Sequence, residues 1–166
     1  MKNMGKVKRS LGFKIYVCLL CLLTAATLAF IWGNSMLTEA SSAEESQAVY
    51  GVVQPFFDSV FGEGVITEQI LRKIAHGTEF FVLGLELTLL ISAFGGYGFK
   101  GWAFVLSEGI SVALIDETIQ YITERGAAVM DVWIDVSGVF VVSVFAGIIG
   151  LIVRAVKKSR RKKSAE

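Results

Sequence analysis

Residues 70–94 read ILRKIAHGTEFFVLGLELTLLISAF, and the architecture of the whole chain can be worked out from this run. From Phe80 to Phe94 it holds a single charged residue, Glu86. About 20 apolar residues are what an α-helix needs to cross a hydrocarbon core some 30 Å thick. Backbone inside lipid must satisfy its own hydrogen bonds, and a run this long and unbroken is too long for a barrel strand, so it predicts a membrane helix. Thr67, just upstream, is suited to cap its N-terminus.

Outward from this run the pattern repeats. Apolar stretches at about 15–32, 102–122 and 132–153 have similar length, in a chain of 166 residues that is 54% hydrophobic and has one proline. Its mean hydropathy is +0.61. The expected fold is all-α: a single membrane domain over 1–166, a polytopic bundle of about four transmembrane helices. Gly95-Gly-Tyr-Gly-Phe-Lys100-Gly101 reads as the turn between the second and third spans, since glycine marks turns and no strand precedes it as a phosphate loop would require. Gly126 is placed to cap the third helix. Cys18 and Cys21 have CxxC spacing but lie in apolar helix, where a thiolate is disfavoured, so they read as small hydrophobes.

Between the first and second spans lies a polar stretch with no Lys or Arg from Asn34 to Thr67. Ser42-Ala-Glu-Glu45 has the form of a capping box. Val49, Val52, Val53, Phe56, Phe57 and Val60 then recur at helical spacing. The stripe predicts a short amphipathic helix, broken at Pro55, lying along the bilayer interface or packed as a lid on the bundle.

Charge sets the expected topology. Of 16 Lys and Arg, 13 fall in the N-terminal segment (Lys2, Lys6, Lys8, Arg9, Lys14), the glycine-rich turn (Lys100) and the tail from Arg154 to Lys163. By the positive-inside rule these sides are cytoplasmic, with both termini inside, the basic tail 154–166 cytoplasmic and the protein in the cell membrane. The tail reads as a flank attracted to anionic lipid, and no nucleic-acid partner is expected.

The three remaining cations, Arg72, Lys73 and Arg125, map to the opposite, extracytoplasmic end. There they meet His76 and Glu79 on the second span, Asp116, Glu117 and Gln120 on the third, and Asp131 and Asp135 on the fourth. Arg72, His76 and Glu79 share a helical face, as do Asp116 with Gln120 and Asp131 with Asp135. Ionisable groups in membrane helices are costly, face the bundle interior and pair, and mark functional sites. Five carboxylates face three cations, an excess of two negative charges that calls for a protonated carboxyl, a bound cation or a cationic ligand group. His76, the only histidine, suits proton transfer near neutral pH. The spacing fits no sharp zinc pattern, so no metal is assigned, and no G-x-S-x-G accompanies the histidine. Deeper, Glu86 and Glu108 fall at similar depth, either as a proton-sharing pair or facing solvent near the inner leaflet. Gly84, Thr88 and Ser92, Ser107 and Ser111, and Ser143 and Gly147 suit close helix contact.

Lys73-x-x-His76-x-x-Glu79-Phe80-x-x-Leu83-Gly84, Asp116-Glu117-x-x-Gln120, Arg125, Asp131 and Asp135-x-x-Gly138 together resemble the VanZ-like family. The serines after the first span (Ser35, Ser41, Ser42, Ser46) are similar to that family too. Asp135 stands where members often carry Asn, which adds a negative charge. The resemblance implies a membrane protein associated with resistance to teicoplanin-type lipoglycopeptides, acting at the outer face on a membrane lipid, a lipid-linked envelope component or the antibiotic itself. On that reading Arg72, Lys73 and Arg125 hold anionic head groups, Gln120 orients the ligand, and Asp131 and Asp135 brace the basic residues or bind a cation. His76, Glu79, Asp116 and Glu117 are the catalytic candidates if there is chemistry. The alternative is a membrane-embedded hydrolase or transferase using His76 with Asp116 or Glu117 on a lipid-linked substrate. No cofactor or oligomeric state is specified.

Overall fold

The computed structural model describes residues 10–96, 98–125 and 128–163. The expected Gly126 cap and the cations Lys2, Lys6, Lys8 and Arg9 lie outside them. Among the described residues there are five helices and no strand: α1 (Leu11–Ser35), α2 (Glu39–Phe61), α3 (Glu68–Ala93), α4 (Phe99–Ile122) and α5 (Val129–Lys163). Thr67 caps α3 as its position predicts, its hydroxyl accepting from the Ile70 N–H at 3.3 Å. Gly95, at φ +72°, turns the chain after α3.

Two local expectations about α2 are corrected. Its N-cap is Thr38, whose hydroxyl accepts from the Ser41 N–H. Ser42 instead sits inside the first turn, where its side chain is buried against other elements. Pro55 does not break the helix: α2 runs 23 residues through it. The proline forfeits the bond to the residue four before it, Gly51, but the apolar stripe keeps its period on both sides.

Helix α3 packs most extensively on α5, α5 next on α4, and α1 lies across α3. The C-terminal ends of α1 and α4 meet the N-terminal ends of α3 and α5, so the four helices alternate in direction. Ile31, Phe80, Leu83, Val105, Val112, Ala113 and Val139 form the core between them. Val139 sits among glycines: a Cβ on Gly84 would fall 2.9 Å from Val139 Cα, and one on Gly109 2.8 Å from its Cγ2. A Cβ on Gly138 would strike the Gly77 carbonyl and fall 2.9 Å from Phe81 N. Without side chains these positions let backbones approach closely, which is how helices associate in lipid. Gly84 was legible as such a residue. Ser107 and Ser111 are exposed, and nothing lies within 4 Å of a Cβ at Gly147.

Among the described residues, three helices are long and apolar enough to span a membrane: α1, α3 and the Val129–Gly150 part of α5. The 24-residue α4 is long enough, but Lys100, Glu108, Asp116 and Glu117 make it too charged to qualify on composition. Against the four expected spans, three helices thus qualify, and α4 does not on composition.

Candidate functional site

The polar residues gather at the end of the bundle where α3 and α5 begin and α1 and α4 stop. Asp116 is the most enclosed, with no exposed surface. Ser35, the last residue of α1, donates to its Oδ1 at 2.5 Å, and Gln120, one turn on, donates to its Oδ2 at 2.7 Å. On α5, Asp135 is 1% exposed. Its Oδ1 stands 4.0 Å from His76 Nδ1 of α3, beyond hydrogen-bond reach. Neither Asp135 oxygen, nor His76 Nδ1, has a hydrogen-bond partner among the described residues. One donor atom each from His76, Asp116 and Asp135 lie within 4.8 Å of one another.

The cations are used differently. Lys73 pairs with Asp131 at 2.9 Å, a half-exposed bridge from α3 to α5. Such pairs contribute about 0–1 kcal/mol, so this one guides register more than stability. Arg125, in the α4–α5 connection, donates from one terminal nitrogen to the Asn34 carbonyl and from the other to Ser42 Oγ. Burial, and then the positive charge of Arg72, lower its pKa from the ordinary value; an arginine stays charged nonetheless. Its guanidinium ties the end of α1 to the first turn of α2. Arg72 is half-buried beside it.

Two cavities meet here. One of about 160 Å³ is lined by Arg72, Lys73, His76, Gln120, Arg125, Asp131 and Asp135, with Gln69 and Ile134. The other, about 270 Å³, opens between α1, α2 and α3 and adds Phe30, Leu37, Val49, Leu71 and Glu79. Arg72, His76 and Arg125 line both and form the wall between them. Of the ten residues expected at the outer-end site, only Asp116 and Glu117 line neither cavity. Asp116 lies behind His76 and Asp135. Glu117 accepts the Ala128 N–H at 2.9 Å, which fastens the start of α5.

Ser35, Asn34 and Ser42 were not singled out as site residues, yet they hold Asp116 and Arg125. The available signal was polar Asn34-Ser35 closing an otherwise apolar run. Glu86 lies ten residues, about 15 Å, further down α3. It is buried and accepts from Thr27 of α1 at 2.9 Å, while Glu108 is half-buried. Thr27 is thus the partner the structure gives Glu86. Cys18 and Cys21 are unbonded and face outward on α1.

The sequence model of a family described as VanZ/LLP1 matches residues 13–150. No curated protein matches the chain, and no solved structure does.

Proposed function

The chain belongs to the VanZ/LLP1 family, and from that premise we propose that it binds the anionic head of a lipid-linked envelope component at the outer face of the cytoplasmic membrane, lowering the effect of teicoplanin-type lipoglycopeptides. The pair of cavities sharing Arg72, His76 and Arg125 carries this reading. The smaller is walled by the cations Arg72, Lys73 and Arg125 together with His76, Gln120 and the carboxylates Asp131 and Asp135. With Lys73 paired to Asp131, the arginines are the groups suited to phosphate or carboxylate oxygens. The larger has a mainly apolar lining, suited to the first part of a lipid chain. An amphiphile lying across the shared wall fills both.

In this reading α4 is the fourth span. Asp116, Glu117 and Gln120 are turned into the bundle, and Phe104, Ile110, Leu114 and Ile115 face outward, the pattern of a helix that keeps its polar groups away from lipid. Val49, Val52, Phe56 and Val60 of α2 are exposed, which suits a helix resting in the interface above the site. Both termini then lie in the cytoplasm, as the basic flanks favour.

Catalysis on the lipid-linked ligand is the second reading. The proximity of His76 to Asp135 favours it, with Asp135 rather than Glu117 as the partner, because Asp135 lines the smaller cavity with His76 and Glu117 lines neither.

The test is susceptibility of a Gram-positive host to teicoplanin and vancomycin, expressing wild type, Arg72→Ala or His76→Ala at matched membrane levels. Selective protection against teicoplanin, lost in both variants, is the expected result. Protection retained in both makes the cluster a lock between helices and ends the binding reading.

A further inference from the structure

We propose that His76, Asp116 and Asp135 bind one divalent transition-metal ion of the Mn2+, Fe2+ or Zn2+ class. The site goes beyond the lipid-binding reading and does not depend on it.

Three observations converge. The first is donor placement: one atom from each residue lies within 4.8 Å of the other two. Donors on one such ion, at bonds of about 2.1 Å, stand roughly 3–3.5 Å apart, so side-chain shifts of about 1 Å close the set. The three residues come from α3, α4 and α5, so the ion would join three helices at once.

The second is the unmet need of Asp135. Its carboxylate is 1% exposed, both oxygens lack a partner among the described residues, and it is aimed at His76 Nδ1, which also lacks one. A buried carboxylate is either paired, metal-bound or neutralised by a proton. The sequence already carried two more carboxylates than cations at this end of the bundle. Lys73 pairs with Asp131, and Arg125 donates to a backbone carbonyl and a serine hydroxyl. Among the described residues no Lys or Arg lies within ion-pair distance of Asp116 or Asp135, and one divalent ion would balance these two carboxylates.

The third is orientation. Asp116 accepts from Ser35 at 2.5 Å and from Gln120 at 2.7 Å, which fixes its plane and leaves a lone pair on each oxygen. Outer hydrogen bonds of this kind hold metal ligands in position. One imidazole and two carboxylates suit Mn2+, Fe2+ or Zn2+; an all-oxygen set would favour Mg2+ or Ca2+. His76 and Asp135 line the smaller cavity, so the ion's remaining positions would face it.

Full-length protein in nanodiscs, stripped with EDTA, is titrated with Mn2+ alone, read by paramagnetic resonance of the free ion, and with Zn2+ alone, read by equilibrium dialysis. One ion per chain is expected, with nitrogen coupling from a single imidazole on bound Mn2+. Asp135→Asn and Asp116→Asn should each weaken binding by about tenfold or more, and Glu44→Gln, on the exposed face of α2, should not change it. Wild type that retains neither ion stoichiometrically overturns the proposal. So does bound Mn2+ without nitrogen coupling, a readout that needs no variant to fold. An Asp135→Asn protein that binds as tightly as wild type also overturns it and leaves a protonated carboxyl as the answer to the charge excess. None of these readouts involves lipid or antibiotic, so their failure is separate from failure of the susceptibility test.

Discussion

Ser35 shows how much of the site depends on one hydroxyl. It donates to an aspartate that has no exposed surface, so in Ser35→Ala no water replaces the bond. We expect about 1–3 kcal/mol of destabilisation, read as a fall in the melting temperature of purified protein. Gly138→Ala should cost a similar or larger amount, because its methyl would meet the Gly77 carbonyl; overpacking of this kind costs about 1–3 kcal/mol. Gly147→Ala, with nothing within 4 Å, should leave the melting temperature unchanged. At this scale the sequence was readable where periodicity governs. A spacing of four puts Gln120 beside Asp116, and the two are hydrogen-bonded at 2.7 Å. It was unreadable where the partner is remote in sequence: Ser35 to Asp116 spans 81 positions, and no local pattern marks it.

Helix α2 illustrates the same divide for whole elements. Its apolar stripe was legible, but its start was misplaced, because Ser42-Ala-Glu-Glu45 satisfies the capping pattern while the chain caps four residues earlier, at Thr38. Ser42 was unavailable as a cap because Arg125 takes its hydroxyl. Apart from that clamp, α2's main neighbour is α3. Arg125→Lys should therefore release it: a lysine cannot span two acceptors in a planar fork, and charge-assisted hydrogen bonds contribute roughly 1.5–3 kcal/mol each. Hydrogen exchange across residues 39–61 should accelerate by about tenfold or more, with residues 80–93 of α3 unchanged. Equal acceleration in both would show that Arg125 supports the whole bundle.

For the molecule as a whole, the number of spans is decided by α4. If it crosses the membrane, the ends of the chain lie on the same side; if only α1, α3 and α5 cross, they lie on opposite sides. Reporter fusions at each end should both read as cytoplasmic, and an external C-terminal reporter would refute the four-span arrangement. Length and composition single out α1, α3 and α5; α4, expected as a span from the apolar stretch at 102–122, carries Glu108, Asp116 and Glu117, of which the last two are buried in the bundle. The glycine contact between α3 and α5 has a mechanical consequence. Gly77 against Gly138 and Gly84 against Val139 are two close backbone approaches on the same pair of helices, seven residues or about 10 Å apart along α3. A single contact would let the helices scissor, whereas two hold their crossing angle, so His76 and Asp135, beside the first, should keep their spacing when the bundle is loaded from its far end.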